Sequence, residues 1–281
     1  MNSFLKNWRI ILIDNKFLLD DKQIFEFIIN GYMIFNPKFS ADFNKTILQK
    51  ADALETNPGD NILDEIPELN NVWGNPKVKG ILQSLLGSTY TMNSHRHCHM
   101  NEPGSVSQTW HQDGLNERHH EVKTVLGMYY PQKVTNKMGP TAIVPGTHFR
   151  NAPSDRLATY GNFKDQVLGT VEAGSIIFLH YDIWHAATSN TSNKTRYMFK
   201  FLFNKNNQAK SPSWHHNPTE AVKHFGLLLT TQVCKSAQSD FYKEKFLREK
   251  MWDNMTGGIK LNISRDAWSG KKRPKKNTNM M

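Results

Sequence analysis

Cysteine is nearly absent from this 281-residue chain, and so is any long apolar run. The two cysteines, Cys98 and Cys234, stand far apart, which excludes the disulfide framework that staples small secreted domains. The first twenty residues hold only Ile10-Ile11-Leu12-Ile13 as an unbroken aliphatic stretch. That is too short for a membrane span, which needs about 20 apolar residues, and too weak for a secretory leader. No internal repeat is visible. Acidic residues are the last shortage: 25 Asp and Glu face 35 Lys and Arg, a formal net charge of +10. A reducing cytoplasm is the expected setting.

The charge is unevenly placed. Lys271-Lys272-Arg273-Pro274-Lys275-Lys276 carries five of the ten positive charges, leaving the body at +5. A basic run after the last apolar segment reads as a disordered, solvated tail over 271–281. Its functional reading is a weak, salt-dependent hold on nucleic acid or anionic surfaces, or a nuclear address. The remaining excess mildly favours an anionic substrate.

The length suits one core with accessory helices, so residues 1–270 are taken as a single domain. Asp20 is an N-cap for a strongly apolar first helix (Ile24, Phe25, Phe27, Ile28, Ile29) that stops before Gly31, and Tyr32-Met33-Ile34-Phe35 follows as a strand. Residues 40–56 and 76–86 read as helices, 57–75 as loop, and 219–254 as helix again. From residue 89 to 204 short strands and Gly/Pro turns dominate, which argues for a sandwich or barrel.

Chemistry concentrates in Trp110-His111-Gln112-Asp113-Gly114. On an extended strand side chains alternate faces, so His111 and Asp113 point the same way. His185, in Ile183-Trp184-His185, completes two imidazoles and one carboxylate. Such a set covers one face of an octahedral ion and leaves the other open, which suits non-haem Fe(II). Eleven residues on stands Arg196, a permanent cation whose planar fork matches a carboxylate.

Between the two halves lies Gly139-Pro140-Thr141-Ala142-Ile143-Val144-Pro145-Gly146-Thr147-His148. With the WHQD at 110–113, the WH at 184–185 and the arginine of NTSNKTRY at 190–197, it makes the sequence similar to the phytanoyl-CoA dioxygenase family of Fe(II)- and 2-oxoglutarate-dependent oxygenases. The resemblance spans residues 18 to 204. It implies a double-stranded β-helix of the jelly-roll type, mainly β with accessory helices. It also implies a dioxygenase that uses Fe(II), O2 and 2-oxoglutarate to oxidise a C–H bond of a small molecule, typically by hydroxylation, releasing succinate and CO2. His111, Asp113 and His185 would hold the metal and Arg196 the distal carboxylate of 2-oxoglutarate, with Gln108 and Thr188 as further co-substrate partners. The family often carries a hydroxyl residue two positions after the second histidine; here that position is Ala187, so the helper of Arg196 is undetermined. Related halogenases have a small residue at the carboxylate position, and Asp113 fills it.

Other histidines compete. His95, His97 and His99 share one strand face and, with Glu102, approximate a cupin metal motif whose flanking glycines fit poorly. They are otherwise structural or line the pocket rim. His119-His120 and His215-His216 point adjacent side chains apart, and His148 and His180 read as support or turn residues. Trp110 and Trp184 read as core, and the charged loop 115–121 as a lid or selectivity element. Two alternatives to the oxygenase remain: a cupin-like metal-dependent binding or sensing module, and a nucleic-acid-associated oxygenase.

Overall fold

The computed structural model describes residues 13–114, 117–150, 161–233 and 238–260. Cys234 and the basic tail lie outside them.

The strands are β1 (Tyr32–Phe35), β2 (Thr91–Asn101), β3 (Thr124–Tyr130), β4 (Thr141–Ile143), β5 (Val167–Leu168), β6 (Ser175–His180), β7 (His185–Ala187) and β8 (Arg196–Asn204). They form a larger sheet in the order β1-β6-β3-β8-β2 and a smaller one in the order β5-β4-β7, with every pair antiparallel. From β5 to β8 consecutive strands alternate between the two sheets, the crossing pattern of a jelly roll.

The central strands of the larger sheet, β3, β6 and β8, are buried on both faces, and strict alternation along β8 shows how the two faces are used. Tyr197, Phe199, Phe201 and Phe203 pack against the helices, while Met198 and Leu202 enter the space between the sheets with Leu126, Met128, Ile177 and Leu179. Arg196 and Lys200 share the parity of Met198 and Leu202 and therefore face inward. A third cluster of Trp110, Ala142, Val144, Trp184 and Ala186 covers the outside of the smaller sheet, so both tryptophans are core.

The helical layer consists of α1 (Asp21–Asn30), α2 (Ala41–Asp52), α3 (Ile62–Glu65), α4 (Leu69–Gly74), α5 (Pro76–Leu86), α6 (Pro218–Thr230) and α7 (Gln238–Thr256). Asp20 and Gln23 form a reciprocal capping box at the start of α1. Gly31 ends the helix in the left-handed region at φ 76°, where a β-carbon would also strike the His148 ring. Two expectations need correcting. Helix α2 stops at Asp52, short of residue 56. The stretch 57–75, expected to be loop, instead folds into α3 and α4 and buries Ile62, Ile66, Leu69, Val72 and Trp73. Its apolar spacing is helical, but the Asn, Pro, Asp and Gly around it obscure the period. Residues 219–254, expected to return to helix, hold α6 and α7. No described helix is long and apolar enough to cross a membrane.

Candidate metal centre

The smaller sheet positions both histidines. His185 begins β7, where it pairs with Ile143 of β4 on one side and His111 on the other. The last pairing is a reciprocal bridge: His111 N–H donates to the His185 carbonyl at 3.1 Å, and His185 N–H donates back at 2.9 Å. The strand of the 139–148 motif thus flanks the second histidine, which is why the motif accompanies it. The expected regular strand through 111–113 is not present. His111 makes an isolated bridge, and Asp113 sits in a bend. The shared direction of the two side chains comes from the bend and from the groups that hold Asp113.

Both imidazoles are oriented in the same way. His111 Nδ1 lies 2.9 Å from the Thr109 carbonyl and His185 Nδ1 lies 3.0 Å from the Ile183 carbonyl. A carbonyl only accepts, so each Nδ1 carries the proton and each Nε2 presents a lone pair. Those Nε2 atoms converge on one carboxylate: His111 Nε2 is 3.8 Å from Asp113 Oδ1, and His185 Nε2 is 3.7 Å from Asp113 Oδ2. Among the described residues, His111, Asp113 and His185 bring three donor atoms within 4.8 Å of one another. Two neutral imidazoles and one carboxylate, with the far nitrogens anchored to the backbone, make a donor set that fits a divalent metal. Burial pushes the His185 imidazole down to about 4, against the pull of Asp113, so it stays neutral. Burial raises Asp113, but the Lys200 ammonium, which donates a hydrogen bond to it, outweighs this and holds the carboxyl below its ordinary value.

Lys200 is a site residue that the motifs do not mark. Its ammonium donates to Asp113 Oδ2 at 2.6 Å, from a side chain that is largely buried. The available signal was its parity: one lysine in the apolar run of β8, four residues after Arg196 and therefore on the same face.

Arg196 opens β8 and is 1% exposed. Its Nε and Nη1 meet no hydrogen-bond partner among the described residues. Burial lowers its affinity for its proton, while Tyr130 and Cys98 lie close enough to act in the opposite sense. A buried guanidinium with free donors is costly unless an anion meets it. Nearby, the Tyr130 hydroxyl and Thr141 Oγ1 are 2.8 Å apart in the interior. Thr141 is the direct cross-strand partner of Ala187, so the two share a sheet face.

Gln108 is exposed, and its Oε1 accepts from the Ala187 N–H at 3.1 Å. Thr188 Oγ1 donates to the Pro140 carbonyl at 2.8 Å. Both expected co-substrate partners therefore make backbone contacts that tie the site strands together.

The cupin-like alternative does not assemble. His95 pairs with Asp60, and His97 and His99 stack in edge contact at 4.4 Å without a carboxylate between them. Burial, with His97 and Lys200 nearby, pushes His99 down to about 3. The strand instead presents His97 opposite Lys200 and Asn101 opposite Arg196, lining the interior beside the triad.

Asp182 fastens the segment that carries Asp113. His119 Nε2 donates to Asp182 Oδ2 at 3.0 Å, Gln112 Nε2 donates to the Asp182 carbonyl, and Gly114 N–H donates to the Tyr181 carbonyl. His119 Nδ1 accepts from the Glu121 N–H, which fixes that tautomer. A β-carbon at Gly114 would overlap the Asp182 carboxylate. His180, buried beside Asp182, is pushed down to about 4 by burial. Leu115 and Asn116, at the tip of the expected lid, lie outside the described residues, but the segments on either side are tied down. His216 is likewise structural, bonded to buried Asp21 at 2.7 Å.

Comparison with known proteins bears on the family and the fold. The sequence profile of the phytanoyl-CoA dioxygenase family matches residues 26–198. No curated protein matches the chain by sequence. Among solved structures, HygX from Streptomyces hygroscopicus with nickel and 2-oxoglutarate bound is similar, with a TM-score of 0.56 at 13% identity over 69% of this chain and 89% of that one. EctD from S. alaskensis with 2-oxoglutarate and 5-hydroxyectoine aligns at a TM-score of 0.53 and 16% identity, over 69% and 79% of the two chains. The non-heme alpha ketoglutarate dependent carbocyclase SnoK aligns at 0.53 and 18%, over 66% and 84%. At these identities the likeness is one of fold.

Proposed function

Given that this chain belongs to the phytanoyl-CoA dioxygenase family and is an Fe(II)- and 2-oxoglutarate-dependent dioxygenase, we propose that His111, Asp113 and His185 hold the iron. Arg196 receives the distal carboxylate of 2-oxoglutarate, and the enzyme hydroxylates a small metabolite. The observation that carries this reading is the buried, unpartnered guanidinium of Arg196 on the same interior face that leads to the triad.

Each residue has a physical task. The Thr109 and Ile183 carbonyls hold the imidazoles with Nε2 inward, so metal binding requires no change of tautomer. Asp113 lowers the charge of the centre and leaves positions open for co-substrate and O2. Arg196 meets the carboxylate through a two-pronged contact, and the Tyr130–Thr141 hydroxyl pair supplies the donor that Ala187 lacks. The apolar wall of Leu126, Met128, Ile177, Leu179 and Met198 excludes water from the interior. Iron with 2-oxoglutarate and O2 supplies the C–H oxidation, coupled to release of succinate and CO2. With Asp113 present the position that halide would occupy is filled, which favours hydroxylation over halogenation.

The test is metal and co-substrate binding. Wild-type protein is expected to bind one Mn(II) or Fe(II), and His111→Ala and His185→Ala are each expected to abolish stoichiometric binding in a calorimetric titration. Stoichiometric binding retained in both variants would overturn the assignment.

A further inference from the structure

We propose that Lys200 is the anchor for an oxyanion on the primary substrate, so that the enzyme oxidises a small organic acid bearing a carboxylate or phosphonate near the reacting carbon. This inference rests on the proposed metal and co-substrate sites and goes beyond them. Among the described residues, three charged side chains meet in the interior at the proposed site: Arg196, Lys200 and Asp113. Together they carry one net positive charge. A divalent metal and a dianionic co-substrate cancel each other, so the loaded site keeps that same surplus. A buried uncompensated charge is unfavourable, and a monoanionic substrate removes it.

Placement assigns the anion to Lys200 rather than to Arg196. Four residues of extended strand separate the two by roughly 13 Å, so they bracket the centre along one face of β8. Arg196 serves the co-substrate at one end. Lys200 reaches Asp113 Oδ2 at 2.6 Å at the other. Once that carboxylate shares its charge with a metal, the ammonium still has two protons to donate. Directly across the strand pair is His97, half-buried, and next along that face is His99, whose Nε2 has no partner among the described residues. Two neutral imidazoles beside an ammonium can donate to an oxyanion without adding charge.

The experiment uses full-length protein loaded with Mn(II) and 2-oxoglutarate under anaerobic conditions. The probes are size-matched sets of small carboxylates, phosphonates and the corresponding neutral amides, followed by thermal shift and calorimetry. Wild type is expected to bind one of the two anion series and to ignore the amides; the favoured series identifies the headgroup. Lys200→Gln keeps a donor for Asp113 without the charge and is expected to weaken anion binding at least tenfold. Lys200→Arg should retain most of it. 2-Oxoglutarate affinity should stay within a fewfold of wild type in both variants, and each is compared with wild type at saturating Mn(II), because Lys200 also contacts Asp113. Equal binding of amides and anions, no anion binding by wild type, or an unchanged anion affinity in Lys200→Gln would each overturn the proposal. Anion affinity in Lys200→Gln that returns to the wild-type value at saturating Mn(II) would overturn it as well, by making Lys200 only a positioning residue for Asp113. Failure of wild type to bind Mn(II) or 2-oxoglutarate would instead refute the underlying site assignment.

Discussion

At the scale of single residues, the candidate site was legible wherever chemistry and spacing coincide. His111, Asp113, His185 and Arg196 are residue types with few other uses in such a pattern, and the fold brings the first three within 4.8 Å. Lys200, Thr141 and Asp182 escaped because their roles depend on cross-strand neighbours that spacing along the chain does not reveal. Thr141 matters only because it faces Ala187, and Asp182 only because the loop from Gln112 to His119 folds onto it. Arg196 yields a direct prediction. Arg196→Ala should leave metal affinity intact while weakening 2-oxoglutarate by roughly 1.5–3 kcal/mol, about ten- to a hundredfold, the scale of one charged hydrogen-bonded contact. Thr141→Val, which keeps the shape and removes the hydroxyl, should cost about 1 kcal/mol of the same affinity. Titrations of 2-oxoglutarate into the Mn(II) proteins check both, and a wild-type affinity in Arg196→Ala would remove Arg196 from the co-substrate site.

At the scale of elements, patterns of period two and strong punctuators carried the reading. The first helix, its Asp20 cap and its Gly31 stop were visible because each has its own signature, and so was the Pro76–Leu86 helix that closes at Gly87. Short helices α3 and α4 were hidden because single turns carry too little period to outweigh the surrounding turn residues, and only tertiary packing around Trp73 stabilises them. The 111–113 segment was misread for the opposite reason. A His-x-Asp pair looks like a strand, yet Asp113 lies in a bend held by Lys200 and by the contacts of its neighbours with residues 181 and 182. Gly31 tests how tightly one element fixes another. Its positive φ and the adjacent His148 ring leave no room for a side chain. Gly31→Ala is therefore expected to cost more than about 1 kcal/mol, the backbone penalty alone, because His148 must also move. Urea denaturation measures it; an unchanged midpoint would mean that the helix end and the 139–148 motif are not mechanically coupled.

For the whole molecule, burial keeps several interior imidazoles neutral. Burial holds His180 and His185 down to about 4 and His148 well below its ordinary range, and His99 is pushed to about 3. These groups are depressed in the folded state relative to an unfolded value of about 6.5, so acidification protonates the unfolded chain first. Their contribution to stability is complete above about pH 6.5 and is lost as the pH falls towards 4. Each such histidine adds about 1.4 kcal/mol per pH unit within that window, so several titrating together give a slope steeper than any one could. The metal-free protein should therefore lose stability between pH 6.5 and 5 by more than 1.4 kcal/mol per unit, read from urea unfolding at each pH. Bound Mn(II) should raise stability at neutral pH and lose that effect as the pH approaches about 4, where protons begin to compete for His185. A stability that is flat from pH 7 to 5 would show that these imidazoles are already charged or solvated in the fold, and the orientation of both metal-facing Nε2 atoms would have to be reassigned.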